Sequence, residues 1–253
     1  MKKLLLIGMA ALLSSAALAY PTLMGPTGLV VMPTAVVVAP GAVDIAADYT
    51  FLTQSRKDAD RPIPVRLEWG LVRNFEVGAA YDYIRGQHTL DLNAKWVTPF
   101  DLLGTKLAVG AMYERVRGAG NDAAVTPTDR NAYLVDTFKL FHEGGVVFHG
   151  NVGLTYDNIH NLNGHNPSFA RAMFGIEATV PAVHHFSLAM DFIPKDTANT
   201  GITYLGRKNT VSIVGRIPIA PAINAEVGET TVSNNRLTGN PTEQLFAGLD
   251  LVF

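Results

Sequence analysis

From residue 43 to the end of the chain, apolar and polar side chains alternate with a period of two. Val65, Leu67 and Trp69, for example, are interleaved with Arg66 and Glu68. Successive side chains of a β-strand point to opposite faces, so this period predicts strands with one apolar and one polar face. We predict twelve strands, at residues 43–53, 63–72, 75–84, 88–98, 104–116, 130–141, 146–157, 168–180, 184–193, 208–217, 221–230 and 242–253.

The length of these strands favours a membrane barrel. A tilted strand needs about 9–11 residues to cross a bilayer, whereas strands of globular proteins average about five or six. Within hydrocarbon, strands satisfy all their backbone hydrogen bonds only in a closed barrel. We therefore predict an all-β fold, a transmembrane antiparallel up-and-down β-barrel of about 12 strands, at residues 43–253. A soluble β-sandwich, which also alternates, is the alternative.

The connections between the predicted strands differ in length in a regular way. Those after even-numbered strands are short, as at residues 73–74 and 142–145, whereas most of those after odd-numbered strands are longer and polar, as at 117–129, 194–207 and 231–241. Gram-negative outer-membrane barrels have short periplasmic turns and long extracellular loops. This sorting favours the barrel over the sandwich and predicts that the long connections face the outside of the cell.

The N-terminal residues predict export. Lys2 and Lys3 precede an apolar run at residues 4–13, and Ala17 and Ala19 complete an A-x-A pattern. This is the organisation of a secretory signal peptide. We predict a signal peptide at residues 1–19 and a location in the outer membrane.

Composition removes several classes of function. Without Lys2 and Lys3 the chain has 18 basic against 22 acidic residues, so no nucleic-acid partner is expected. Cysteine is absent, which excludes disulfides and thiolate metal sites. No serine, histidine and acid align on one strand face in a catalytic arrangement. We predict no enzymatic activity, no catalytic residue, no cofactor and no metal site.

The polar faces of the strands predict what lines the barrel. If Leu245, Leu249 and Leu251 face lipid, Asp250 faces the lumen, and the same rule can be applied to each strand. The predicted inward acids are Asp44, Asp48, Glu68, Glu76, Asp82, Asp91, Glu114, Glu177, Asp191, Glu226 and Asp250. The predicted inward bases are Arg66, Lys95, Arg171 and Arg216, with Lys106 as a further candidate. The sixth strand alternates poorly, so Asp136 is not assigned to a face.

This excess of inward acids suggests a function. Four or five bases cannot neutralise eleven acids, so some carboxylates must be solvated, protonated or paired with mobile cations. Small inward residues such as Gly78, Gly110 and Gly175 leave room in the lumen. We interpret the chain as a small porin or secretion-associated channel with a water-filled, cation-attracting lumen that passes small solutes. The alternative is a closed core filled by ion pairs across the lumen.

The end of the chain resembles a known assembly signal. Residues 244–253, QLFAGLDLVF, alternate apolar residues and end on Phe253. They resemble the C-terminal signal of outer-membrane proteins that the barrel-assembly machinery recognises. The resemblance implies that this machinery and outer-membrane lipid are partners of the chain.

A second resemblance lies near the N-terminus. Residues 25–35, GPTGLVVMPTA, resemble the G-L-I-x-x-P-T-A signature of YjbH-like outer-membrane proteins, which are linked to exopolysaccharide production. Val30 stands where the signature has isoleucine. The resemblance implies an alternative function as a non-conducting structural or exopolysaccharide-assembly protein, with exopolysaccharide export components as partners.

The segment that carries this signature is not a ladder strand. It is apolar but interrupted by Pro26, Pro33 and Pro40, and proline cannot donate a ladder hydrogen bond. Residues 20–42 must therefore pack on protein. Two interpretations stay open, a plug that enters the barrel from the periplasmic end and a linker on the rim.

The predicted orientation can be tested by cysteine labelling. Cysteines that replace Asn121 or Asn199, in the long connections, should react with a membrane-impermeant maleimide in intact cells. Cysteines at Asn74 or Gly144, in short turns, should react only after the outer membrane is opened. The reverse order of labelling would show that the barrel has the opposite orientation.

Overall fold

The computed structural model describes most of the predicted barrel. The predicted signal peptide, residues 1–19, and the labelling positions in the long connections lie outside the described residues. In the described part of the chain, no helix is long and apolar enough to cross a membrane. The described residues are 20–23, 25–52, 63–84, 87–101, 104–117, 128–160, 166, 168–183, 185–194, 209–220, 222–232 and 242–253.

Twelve antiparallel strands form one closed barrel, which confirms the predicted fold class. Each strand pairs with its neighbours in the sequence. In chain order the strands are β1 Val43–Leu52, β2 Val65–Val72, β3 Phe75–Ile84, β4 Gln87–Val97, β5 Thr105–Arg117, β6 Thr128–Glu143, β7 Val146–His160, β8 Ser168–Val180, β9 Phe186–Ile193, β10 Thr210–Ala220, β11 Ile223–Val232 and β12 Thr242–Val252.

The barrel closes where the first strand meets the last. β1 and β12 pair in register from Asp44 opposite Val252 to Leu52 opposite Gln244. Beyond that ladder, the Phe253 N–H donates to the Val43 carbonyl at 2.8 Å, and the Val43 N–H donates to the Phe253 carbonyl at 2.9 Å. Closure leaves no strand edge that could pair with another chain.

Two strands extend further than the alternation predicts. β6 begins at Thr128 and β7 ends at His160, and these two residues are opposite each other in the register. The ladder between β6 and β7 therefore continues past the apolar alternation toward the long-connection end. A period of two marks the part of a strand that separates lipid from lumen, whereas backbone pairing needs no such contrast.

The short turns that join β2 to β3 and β6 to β7 use left-handed backbone. Asn74 has φ +67°, and Gly144 and Gly145 have φ +57° and +80°. Asparagine and glycine adopt such values at the lowest cost, and primed turns that need them match the twist of paired strands.

The outer face of the barrel is largely apolar. Leu67, Leu92, Leu154 and Ile213 are among the large apolar side chains exposed on it. The outer face also carries acids, and among the described residues Asp136 and Glu229 lie between apolar ones. Asp136 is opposite Leu107 and Val152, and Glu229 is opposite Ile213 and Leu245.

Aromatic residues mark the two ends of this apolar belt. Trp69 and Trp96 are exposed toward the short-turn ends of β2 and β4, and Tyr81 and Phe192 toward the opposite ends of β3 and β9. Interfacial aromatic girdles of this kind flank the lipid-facing band of outer-membrane barrels.

The lipid-facing assignment predicts a depth-dependent cost of charge. Leu67 is exposed on the outer face between Ile45 and Ala79, so Leu67→Arg should lower the free energy of unfolding by about 2–4 kcal/mol. Val72→Arg, at the short-turn end of the same strand, should cost about 0–1 kcal/mol. Urea unfolding of the barrel in lipid vesicles measures both. Equal costs would show that this face of β2 does not lie in hydrocarbon.

Candidate functional site

Residues 20–23 and 25–38, which we call the plug, lie inside the barrel. Leu29 and Met32 are completely buried, and most of their neighbours are nearly so. The plug makes its own turns, since the Gly28 N–H donates to the Tyr20 carbonyl at 2.7 Å and the Leu29 N–H donates to the Met32 carbonyl at 2.9 Å. Most of the described residues from 20 to 38 are buried, whereas Pro40 and Gly41 are exposed.

Residues 28–33, which we call the plug tip, form a tight turn that Gly28 permits. A Cβ atom at this position would lie 2.2 Å from the Met32 carbonyl oxygen and 2.8 Å from the Cα of Pro33. Both contacts are with backbone, so no side-chain rotation could relieve them. The glycine of the GLVVMPTA motif is therefore required because two backbone segments approach each other closely there.

The tip of the plug binds a carboxylate of the barrel wall. Asp191 of β9 accepts hydrogen bonds on Oδ2 from three successive N–H groups, those of Val30 at 3.0 Å, Val31 at 2.7 Å and Met32 at 2.9 Å. A run of backbone N–H groups that converge on one oxygen is a built anion site. Asp191 thus has its charge stabilised by plug backbone rather than by a basic side chain.

A second anchor lies across the lumen on β3 and β4. The Thr27 N–H and the Val38 N–H each donate to the Glu76 carboxylate at 3.0 Å. Lys95 Nζ lies 2.8 Å from Glu76 Oε1 and donates to the Thr27 carbonyl at 2.7 Å. The Glu76 carboxylate therefore accepts hydrogen bonds from N–H groups of the plug, and the Lys95 ammonium donates to a carbonyl of the plug.

A third anchor is formed by two arginines that share one acid. Arg66 Nη2 lies 2.7 Å from Glu226 Oε1, and Arg216 Nε lies 3.1 Å from Glu226 Oε2. Arg66 also donates to the Pro21 carbonyl at 3.1 Å, and Arg216 to the Gly28 carbonyl at 3.2 Å. These hydrogen bonds satisfy plug carbonyls that have no ladder partner.

The Tyr20 ring covers the guanidinium group of Arg216. The Arg216 guanidinium carbon lies 4.6 Å from the centre of the Tyr20 ring, at the distance of a cation–π contact. Burial raises the pKa of the Tyr20 hydroxyl above its usual range. The aromatic ring thus shields the Arg216 cation from solvent at the start of the plug.

The anchors hold the plug from opposite sides. β3 and β9 lie half-way round the twelve-stranded barrel from each other, as do β4 and β10. Between them, the plug tip packs against the buried inward side chains of Met112, Tyr133, Met173, Ile193 and Phe246. A cavity of about 20 Å³ beside Val31 and Pro33 has room for about one water molecule.

The expectation that small inward residues leave an open lumen does not hold at the level of the plug. A Cβ atom on Gly175 would lie 2.1 Å from Leu29 of the plug. One on Gly78 would lie 1.9 Å from Glu68, and one on Gly110 would lie 2.2 Å from the Tyr133 ring. The room that glycine provides is used for packing, because larger side chains and the plug fill it.

The structure places the predicted lumen residues on the inner face. Glu177 and Asp82 are partly buried, and Lys106 is exposed at the short-turn end of β5. The buried acids are Asp44, Asp48, Glu68, Glu76, Asp91, Glu114, Asp191, Glu226 and Asp250, and the buried bases are Arg66, Lys95, Arg171 and Arg216. Two buried inward acids, Asp129 and Asp157, were missed. Asp129 precedes the predicted sixth strand, and Asp157 is the last residue of the predicted seventh strand.

Three of the inward acids form what we call the acidic row, Asp91, Glu114 and Asp129. Asp91 is directly opposite Glu114, and Glu114 is directly opposite Asp129, on three adjacent strands. Residues in such pairs have Cβ atoms about 4.5–5.5 Å apart, and like charges in them destabilise the sheet. Each of the three side chains is more than 90% buried, with exposed fractions of 6%, 7% and 6%.

The acidic row lies on the long-connection side of the plug. Asp91 and Lys95 are on the same face of β4, and four residues of strand span about 13 Å. Asp91 Oδ1 and Asp129 Oδ1 have no hydrogen-bond partner in the structure. The nearby Arg171 makes an ion pair with Asp157 at 3.0 Å. The row is therefore a set of adjacent carboxylates whose charge the described protein groups compensate poorly.

A metal centre is not formed by the residues that the structure describes. Within them, no group of three or more carboxylate or histidine side chains has an arrangement that could hold a metal ion.

The chain was compared with known proteins. No protein-family model matches it, and no curated protein sequence matches it. Solved structures do match. The KdgM porin in complex with disordered oligogalacturonate has a TM-score of 0.56 and 9% identity, over 84% of this chain and 99% of that chain. The NanC porin has a TM-score of 0.54 and 9% identity, over 83% and 98%.

A third match is an outer-membrane channel from Pseudomonas putida F1. It has a TM-score of 0.54 and 10% identity, over 86% of this chain and 97% of that chain. At such identities the likeness concerns the fold. The chain has the fold of outer-membrane barrels that include porins and channels.

The carboxylate of Asp191 can be tested as the anchor of the plug tip. Asp191→Leu removes the acceptor of three hydrogen bonds, and each bond to a charged group contributes about 1.5–3 kcal/mol. Amide hydrogen exchange at Val30, Val31 and Met32 should therefore accelerate at least about tenfold. The control is Asp91→Leu, because no hydrogen bond among the described residues joins Asp91 to the plug. Unchanged hydrogen exchange in Asp191→Leu would show that this carboxylate does not anchor the plug tip.

Proposed function

We propose that this chain is an outer-membrane channel of the porin type that the plug closes, with a cation-attracting vestibule on the side of the long connections. The acidic row is the observation that carries the proposal. Asp91, Glu114 and Asp129 are adjacent and buried, and their pairing is unfavourable for the barrel itself. A mobile cation in the lumen would compensate that cost.

The plug supports a closed state that can open. Its anchors to Asp191, Glu76 and Arg216 are hydrogen bonds, and none of them is covalent. Displacement of the plug would uncover Asp191, which makes no ion pair with a described basic side chain. It would also uncover Glu76 and Glu226, but these acids are paired with Lys95, Arg66 and Arg216. The open lumen would then gain one carboxylate without a basic partner, in addition to the acidic row, and the focusing of potential by a low-dielectric wall would favour cations.

The solute class follows from the sign of this charge. Oligogalacturonate, present in the KdgM structure, is an acidic oligosaccharide, which the acidic row would repel. We therefore propose small cations and neutral solutes as the permeating species. Phe253, exposed on the outer face, is proposed to be the residue by which the barrel-assembly machinery recognises β12.

A second candidate is a non-conducting structural or exopolysaccharide-assembly protein of the YjbH-like kind. The observation in its favour is that residues 28–35, which carry the resemblance, form the part of the plug that binds Asp191. In this candidate the plug would stay in place and the lumen would not conduct.

Conductance in planar bilayers distinguishes the two candidates. The wild-type chain should conduct weakly, and Asp191→Leu should conduct more strongly because the plug tip is released. In the Asp191→Leu background, the reversal potential in a KCl gradient should indicate preference for K⁺. That preference should weaken as salt rises, since the Debye length is about 10 Å at 0.1 M.

The acidic row is tested in the same background. Asp91→Asn together with Glu114→Gln should bring the ratio of K⁺ to Cl⁻ permeability toward one. The matched control is Asp101→Asn with Glu143→Gln, two exposed acids toward the short-turn side, which should change it little. Equal effects of the two pairs would refute the proposed role of the row. A folded Asp191→Leu barrel that never conducts would favour the structural candidate.

A further inference from the structure

The outer face of β5 and β6 carries an unusual set of charges. Arg115, Arg117 and Arg130, which we call the arginine patch, face outward near the ends of these strands that adjoin residues 118–127. Arg117 and Arg130 are exposed and Arg115 is half-buried. Outward arginines are tolerated near the membrane interface, where they cost about 0–1 kcal/mol, but not at the midplane.

The register brings the three arginines together. Tyr113 is opposite Arg130, and Arg115 is opposite Thr128, so Arg115 and Arg130 are diagonal neighbours. Diagonal neighbours on one face of a sheet are about 7–8 Å apart at the backbone, within reach of long side chains. Arg117 follows Arg115 on the same face by two residues, about 7 Å along the strand.

The arginines have acidic neighbours in the sequence but cannot pair with them. Glu114 precedes Arg115, and Asp129 precedes Arg130. Adjacent residues of a strand point to opposite faces, so the acids lie in the lumen while the arginines lie outside. Among the described residues, no carboxylate forms an ion pair with any of the three arginines in the structure.

The surroundings of the arginine patch suit a lipid. Leu90 is opposite Arg115, and Leu92 is opposite Tyr113. Both leucines are exposed on the outer face, at 40% and 47%. The patch therefore combines closely spaced guanidinium groups with an apolar surface directly beneath them, toward the middle of the membrane.

We propose that the arginine patch binds the phosphorylated headgroup of a glycolipid in the outer leaflet, with its acyl chains against Leu90, Leu92 and Tyr113. Guanidinium groups bind phosphate through two parallel hydrogen bonds, and each basic residue near an anionic membrane surface contributes about fivefold in affinity. Three such residues and an apolar strip fit one lipid that carries more than one phosphate.

Native mass spectrometry of the barrel in micelles measures this binding. The probe is bisphosphorylated lipid A, and the comparison lipid has the same acyl chains without phosphate. The folded state of each variant is checked by heat-dependent electrophoretic mobility. R115Q/R117Q/R130Q should weaken lipid A binding by on the order of a hundredfold. R115K/R117K/R130K keeps the positive charge but loses the paired hydrogen bonds, so its affinity should lie between those of the wild type and the glutamine variant.

The matched control removes three bases from the opposite end of the barrel. R73Q/K106Q/K139Q changes the net charge equally, at exposed positions toward the short turns, and should leave lipid A affinity nearly unchanged. Equal weakening by the control, equal binding of the phosphate-free lipid, or displacement by inorganic phosphate alone would overturn the proposal. Lipid binding in micelles requires neither conductance nor a known orientation, so its failure is distinct from failure of the proposed channel.

Discussion

A strand inside hydrocarbon has no water to hydrogen-bond its backbone, and the rest of this molecule depends on that constraint. Twelve antiparallel ladders satisfy it only because β1 and β12 meet. Closure then fixes where every side chain goes, since each residue faces either lipid or lumen. Many of the chain's acids consequently lie in the interior. The hydrogen bonds of the strand ladders do not stabilise these buried charges, so the acids need other partners.

The plug provides much of what that interior lacks. Asp191 receives three backbone N–H groups, and Glu76 receives two together with the Lys95 ammonium. Because plug residues are outside the ladders, their N–H and C=O groups are available for side chains of the wall. Charged wall residues and unpaired plug backbone thus satisfy each other, and an apolar tip fills the space between Met173 and Phe246.

Strand positions and lumen faces could be predicted from the sequence because alternation records the contrast between lipid and lumen. Asp129 was missed because β6 begins before that contrast does, and Asp157 is the last residue of the predicted seventh strand. The partners of Asp191 could not be predicted, because backbone N–H donors leave no trace in residue types. The sequence marked GLVVMPTA only by a family resemblance and by its prolines, and the constraint on Gly28 became apparent in the structure.

The plug is connected directly to β1, the strand that closes the barrel by pairing with β12. Residues 39–42 join it to β1, and on the way the Gly41 N–H donates to the Gly70 carbonyl at 2.6 Å. The other edge of β1 pairs with β12, so the seam joins the earliest strand to the latest. A plug that is already seated is enclosed as that seam forms, whereas a late plug has to thread the rim. If the plug is seated first, its contacts with opposite walls of the barrel set the distance between those walls as the barrel closes.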